Sequence, residues 1–206
     1  HNRSSASIVN VSSLFSLTPS QLDDLARKLS LDIFTFNQQA CSSPKVLFVY
    51  CPIDFDGLLP LLSKFFALIS QHASSISSLS DSSAVDKFKR LSDLACSAQG
   101  FSLVLDSQYL SAFSVDHPIQ MSSSQLQSGI LLYQPISDLS ELVSHLDSSF
   151  QTLIHYGFTS NELVSITDIC IQCGVDRLVQ PGQALNISNV WDGYDIISML
   201  SRTISN

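Results

Sequence analysis

Basic residues are scarce in this chain of 206: ten Lys and Arg stand against eighteen Asp and Glu, giving a net charge of -8 and a pI near 4.8. Nucleic acids are bound largely through Lys and Arg on phosphates, so ten cations without a cluster exclude a polyanion as the expected partner. Long apolar runs are missing too. A bilayer span needs roughly 18 such residues, and the longest stretch, 57–69, is broken by Pro60, Ser63 and Lys64. Glycine is sparse, with seven residues scattered singly, so no glycine-rich phosphate loop and no dinucleotide fingerprint can be written. No signal-peptide pattern opens the chain. Its five cysteines (Cys41, Cys51, Cys96, Cys170, Cys173) are an odd number, which favours free thiols and a cytoplasmic location over a disulfide framework. The first residue is His rather than Met, and strand-like sequence follows almost at once, as in a piece cut from a larger protein.

At 45% apolar residues the chain can bury one good core, and one compact domain is expected. Residues 7–11 are short and β-branched and read as a strand. Thr18, Pro19 and Gln21 form a helix start with a capping box, and Leu22, Leu25, Ala26, Leu29, Ile33, Phe36 and Ala40 continue at three- and four-residue spacing. That helix is expected to deliver Cys41 at its end. Pro44 stops it, and residues 46–50 read as a buried strand, so Cys41 falls on the short helix-to-strand connection.

Helices are expected over 57–70 and 84–99, joined by a flexible serine-rich loop over 74–83. Strands are expected over 102–105, 112–115, 130–134 and 151–155, with a helix marked by Leu139, Leu142, Val143 and Leu146. Thr159 and Glu162 form a second capping box, and Leu163, Ile166, Cys170 and Cys173 share one helical face. Gly174 ends that helix before a strand over 175–179. The tail from Asn189 has room for one short helix. The alternation argues an α/β fold with helices flanking the sheet, and neither 74–83 nor 121–128 justifies cutting the chain into two domains.

Cysteine in its thiolate form is a strong nucleophile that exchanges with thioesters at little cost in bond energy, which makes Cys41 the candidate for chemistry. Cys170-Ile171-Gln172-Cys173 is a lone pair of thiols on an apolar stripe, so it reads as core packing and no metal site is expected. The histidines show no ligand spacing, although His117 and His155 stay open as neighbours of Cys41.

The segment Phe36-Asn37-Gln38-Gln39-Ala40-Cys41-Ser42-Ser43-Pro44, followed by an apolar strand, resembles the nucleophile segment of the aldehyde dehydrogenase superfamily. The likeness is strongest to its acyl-CoA reductase branch, akin to the bacterial bioluminescence fatty acid reductase. Gly157-Phe158-Thr159-Ser160, residues 174–179, Pro181-Gly182 and Val190-Trp191-Asp192-Gly193-Tyr194-Asp195 resemble the closing part of the same catalytic domain. The resemblance implies an aldehyde dehydrogenase-like catalytic domain with a mostly parallel sheet. It also implies that Cys41 forms a thioester with a long-chain acyl group, taken from acyl-CoA or from an acyl donor enzyme, which NADPH reduces to the aldehyde.

The cofactor-binding domain and the asparagine of the oxyanion hole are then expected before residue 1, leaving the backbone N–H of Cys41 as the donor this chain offers. Trp191 is expected at the acyl pocket as a substrate contact, or else as a buried anchor, and a homo-oligomer is expected from the superfamily. Aldehyde-oxidising members use a glutamate to activate water. Only Glu141 and Glu162 exist here, both at helix starts, which fits a reductase. Nor does 121–128 show the superfamily's ribose-clasping glutamate. Two alternatives are an acyltransferase or thioesterase pairing Cys41 with a histidine base and needing no cofactor, and a non-catalytic acyl-binding or oligomerisation module.

Overall fold

Strands and helices alternate through most of the chain in the computed structural model, which describes residues 3–53, 56–77, 81–116, 126–191 and 193–202. β1 (Ser4–Asn10) leads into α1 (Val11–Phe15), α2 (Pro19–Phe34) and β2 (Pro44–Tyr50). α3 (Leu58–Ile76) and α4 (Asp81–Ser97) precede β3 (Ser102–Asp106), β4 (Ser111–Ser114) and β5 (Ile130–Ile136). A 3-10 turn (Leu139–Glu141) and α5 (Leu142–His145) connect to β6 (Phe150–Tyr156), then α6 (Ser160–Cys173) and β7 (Arg177–Val179). A small hairpin of β8 (Val190–Trp191) and β9 (Tyr194–Asp195) and a short α7 (Ile196–Leu200) follow.

Seven strands form one sheet in the order β3-β4-β5-β2-β1-β6-β7, with every pairing parallel except β3 with β4. The expected α/β class holds. Strand side chains alternate between faces, and β2 shows the consequence. Leu47 and Val49 pack with Leu25, Leu29 and Ile33 of α2 and Phe65, Phe66 and Ile69 of α3 on one face. Phe48 packs on the other with Ile8, Leu142 and Ile166. Both layers are needed because a parallel sheet buries both of its faces.

Local signals place most helix ends. Thr18 accepts from the Gln21 N–H at 3.3 Å, and Gln21 returns the bond to the Thr18 N–H at 2.9 Å. Thr159 and Glu162 do the same for α6. Gly174 closes α6 in the left-handed conformation, φ 77°, which glycine adopts without strain.

Four expectations need correction. α2 stops at Phe34 instead of continuing through Phe36 and Ala40, because Phe36, Asn37 and Gln38 turn left-handed, with φ of 68°, 52° and 61°. Phe36, read as part of the apolar stripe, is therefore 69% exposed. The serine-rich stretch is largely helical: α3 runs through Ser74, Ser75 and Ile76, and α4 begins at Asp81, while residues 78–80 lie outside the described set. Serine composition lost there to the apolar faces of the two helices. β1 begins and ends earlier than expected, because the Asn10 side chain accepts from the Ser12 N–H at 3.0 Å and starts α1. Finally, the tail holds the β8–β9 hairpin in addition to its one short helix. Most of the 121–128 segment, with His117, also lies outside the described residues.

Asp32 is the one acidic side chain buried inside α2, at 1% exposure, and it fastens a distant loop. Its two oxygens accept from the N–H groups of Gly182 at 2.6 Å and Ala184 at 3.0 Å. Burial pushes its carboxyl up to about 6 and outweighs those two bonds, which act in the opposite direction. The folded chain thus keeps a proton that the unfolded chain gives up near pH 4, so this group's contribution to stability falls as pH rises from about 4 to 6. Asp32→Asn cannot titrate. Urea unfolding of both proteins from pH 4 to 7 is expected to show the wild-type advantage shrinking through that window, and parallel curves would show that Asp32 keeps an ordinary carboxyl.

Candidate active site

Cys41 sits exposed on the connection between α2 and β2, three residues before the strand begins. The expected helix-to-strand placement holds, although the helix ends seven residues earlier than Cys41 rather than beside it. The site lies at the edge where the parallel strands start. Open α/β sheets usually bind ligands at the opposite, carboxyl ends of their strands.

The backbone around the thiol is fixed by polar contacts. The Ser5 hydroxyl of β1 donates to the Cys41 carbonyl at 2.7 Å, and its oxygen accepts from the Thr152 N–H of β6 at 3.2 Å. The Ser43 N–H closes a turn on the Ala40 carbonyl at 3.1 Å. Gln38, fully buried, bonds the carbonyls of Pro44 and Ile130 and the N–H of Gly129. A Cβ on Gly129 would stand 1.9 Å from the Tyr109 carbonyl oxygen, so only glycine fits that position.

Lys45, on β2 and almost wholly buried, brings positive charge close to Cys41. Burial first, and Arg90 second, hold its ammonium below the usual lysine range, while charge on Cys41 acts in the opposite direction. Gln38, Ser5 and Lys45 were not singled out from the sequence. The doubled glutamine beside Asn37 was the only available hint, since Asn tolerates the left-handed region better than most residues.

Trp191 packs against Arg177. The Arg177 guanidinium sits 4.7 Å from its ring centre, and that arginine also bonds the carbonyls of Ala184 and Asn186. Pro44, Ser5, Thr152 and Arg177 follow one another across the sheet. At about 4.8 Å per strand, Arg177 is on the order of 14 Å from the start of β2.

The sequence profile of the acyl-CoA reductase (LuxC) family matches residues 8–203. The chain belongs to that family. No curated protein sequence matches it. Among solved structures it is similar to the methylmalonate-semialdehyde dehydrogenase of Oceanimonas doudoroffii, with TM-score 0.63 and 11% identity over 92% of this chain and 41% of that one. It is also similar to an NAD-dependent aldehyde dehydrogenase from Sinorhizobium meliloti, TM-score 0.60 and 14% identity over 87% and 37%. A third is aldehyde dehydrogenase C of Pseudomonas syringae, solved with NAD+ and octanal, TM-score 0.55 and 13% identity over 87% and 39%. At such identities the likeness shows the fold, which is that of the aldehyde dehydrogenases, and the chain spans about two fifths of the length of these structures.

In this LuxC family chain the two glutamates are occupied as helix caps. Glu141 accepts from the Ser137 and Asp138 N–H groups, and Glu162 from the Thr159 N–H and hydroxyl. His72 pairs with Asp23, and His145 packs its ring against Phe48. His155 sits opposite Ile8, three rows along β6 from Thr152 and so away from the edge that bears Cys41. Among the described residues no three His, Cys, Asp or Glu come together as a metal site, and the left-handed glycines occupy separate turns that do not fit dinucleotide phosphates. No helix among them is long and apolar enough to cross a membrane.

The thiols differ sharply in setting. Cys170, buried in α6, has its thiol pushed up to about 12, chiefly by burial and also by Cys173. Cys41 and Cys96 are exposed. Iodoacetamide at pH 8 followed by peptide mapping is expected to label Cys41 and Cys96 in the folded chain and Cys170 only after unfolding. Early labelling of Cys170 would contradict its core placement.

Proposed function

We propose that this chain is the nucleophile-bearing part of a fatty acyl-CoA reductase of the cytoplasm. Cys41 takes a long-chain acyl group as a thioester, and NADPH, held mainly by a domain outside these 206 residues, reduces it to the aldehyde. The observation that supports this reading best is an exposed thiol on a loop pinned at its centre by Ser5, in a chain of the LuxC family.

The part assigned to this chain is acyl transfer. The Cys41 thiolate attacks the carbonyl carbon of the acyl-CoA, and the new carbon–sulfur bond leaves negative charge on the carbonyl oxygen. The Cys41 N–H offers one donor to that oxyanion. Collapse of the adduct breaks the bond to coenzyme A, which leaves as its thiolate. One thioester replaces another, so little bond energy is spent. Lys45 puts a positive charge near the sulfur while coenzyme A departs. With Glu141 and Glu162 committed to caps, neither is free to activate water, and the thioester survives until it is reduced. The acyl group in this reading accords with the octanal held by the Pseudomonas syringae structure.

A histidine-dependent acyltransferase is less well supported among the described residues, because His72 is paired with Asp23, His145 stacks on Phe48 and His155 lies three rows along β6 from Thr152; His117 lies outside them. Intact mass of the chain after mixing with a long-chain acyl-CoA at neutral pH is expected to rise by one acyl group in the wild type and not in Cys41→Ser. An adduct mapped to Cys51 or Cys96 would remove Cys41 from the mechanism, and no adduct at all would show that acyl transfer needs more than this chain.

A further inference from the structure

β2 and β5 pair from Val46 and Leu132 onward. Before that row the strands part, and the Gln38 carboxamide occupies the space between their ends. Its Nε2 donates to the Pro44 carbonyl at 3.1 Å and the Ile130 carbonyl at 2.9 Å, and its Oε1 accepts from the Gly129 N–H at 3.0 Å. Two carbonyls on one side and an N–H on the other fix which end of the amide is which. The side chain is fully buried, so water cannot replace any of these bonds.

The bond from Gln38 forward to Pro44 closes a ring around residues 39–43, with Cys41 at its middle. Ser5 holds that middle through the Cys41 carbonyl. Both ends and the centre of the nucleophile loop are therefore tied, and the bonds to Gly129 and Ile130 anchor the ring to β5. An ordinary chain reversal needs none of this. Here it requires three successive non-glycine residues in the left-handed region.

We propose that Gln38 is a positioning residue for acyl transfer, acting on Cys41 through the backbone of the loop it closes. This rests on the reading of Cys41 as the acyl acceptor. Attack on a thioester needs the sulfur on a defined approach, with the loop N–H aimed at the forming oxyanion. Alkylation by a small reagent needs only an accessible thiol. Loss of the clamp should thus separate the two reactions, which a purely structural role would leave in step.

The test compares the wild-type chain with Gln38→Met, which keeps side-chain length and loses all three bonds, and with Asp32→Asn as a destabilised control whose side-chain bonds go to Gly182 and Ala184 and not to the clamp. Cys41 acylation by a long-chain acyl-CoA and alkylation by iodoacetamide are followed by mass, with Cys96 as the internal reference. Amide hydrogen exchange is read over 39–45 and 126–130. In Gln38→Met the ratio of acylation to alkylation is expected to fall about tenfold or more, with exchange rising about tenfold in both segments. Asp32→Asn is expected to leave ratio and exchange at wild-type values.

An unchanged ratio in Gln38→Met, or unchanged exchange in the two segments, overturns the proposal. If the wild type takes no acyl group, acyl transfer needs more than this chain, and the exchange data still decide the clamp: unchanged exchange in Gln38→Met overturns it. Should Gln38→Met fail to fold, Gln38→Glu, which keeps the acceptor for Gly129 and loses the amide donors, is expected to show the same changes, and wild-type behaviour there overturns the proposal.

Discussion

The nucleophile loop depends on one buried carboxamide. Phe36, Asn37 and Gln38 all lie in the left-handed region, at a cost on the order of 1 kcal/mol each. The three bonds of Gln38 return roughly 1 kcal/mol apiece, and more in effect, since each group they serve is buried and would otherwise be unsatisfied. The two sums nearly cancel. The loop conformation is therefore set by the clamp rather than by local preference, and the position of Cys41 inherits its accuracy from the sheet edge to which the clamp is tied.

Charge is distributed to the same end. Acidic side chains outnumber basic ones eighteen to ten, and several of the described ones are fastened to backbone N–H groups. Asp138 and Glu141 start the 3-10 turn, Glu162 starts α6, Asp195 starts α7, and Asp32 grips the 182–184 loop. A carboxylate accepting from the first turn of a helix is stabilised in its charged form and held in place. The charge that bears on Cys41 is instead the cation of Lys45, while Arg90 is paired with Asp86. A thiolate nucleophile and a carbonyl gaining negative charge both profit from that separation.

Features carried by short-range chemistry were legible from the sequence. The Thr18 and Thr159 capping boxes, the continuous apolar run of β2 and the helix-ending Gly174 depend on residues within a few positions of one another, and each stands in its expected element, with β2 starting two residues early. The misses have a long-range cause. Phe36 and Ala40 continue the helical stripe of α2, but the stripe loses to a bond between Gln38 and Gly129, 91 residues away. The serine-rich stretch after His72 reads as loop because serine favours turns, and it is mostly helix because α3 packs on α2 and β3. Ser5 and Lys45 carried no local signal at all, since their importance comes only from the register that sets β1 beside β2.

Placing the thiol at the starting edge of the parallel strands has a further consequence. At the carboxyl ends of an open sheet, connecting loops rise around a ligand and can build a whole pocket from one domain. At the opposite edge, the connection bearing Cys41 is short and tied flat by Ser5 and Gln38, and it leaves the sulfur open on the outer side. A site built this way presents a fixed thiol, and the described residues supply little enclosure around it. That placement fits the proposed division of chemistry between two bodies, one holding the acyl group on sulfur and the other bringing the reductant. The rigidity of the loop is then what makes the division workable, because only a thiol held in one place can meet a reactant positioned by a separate unit.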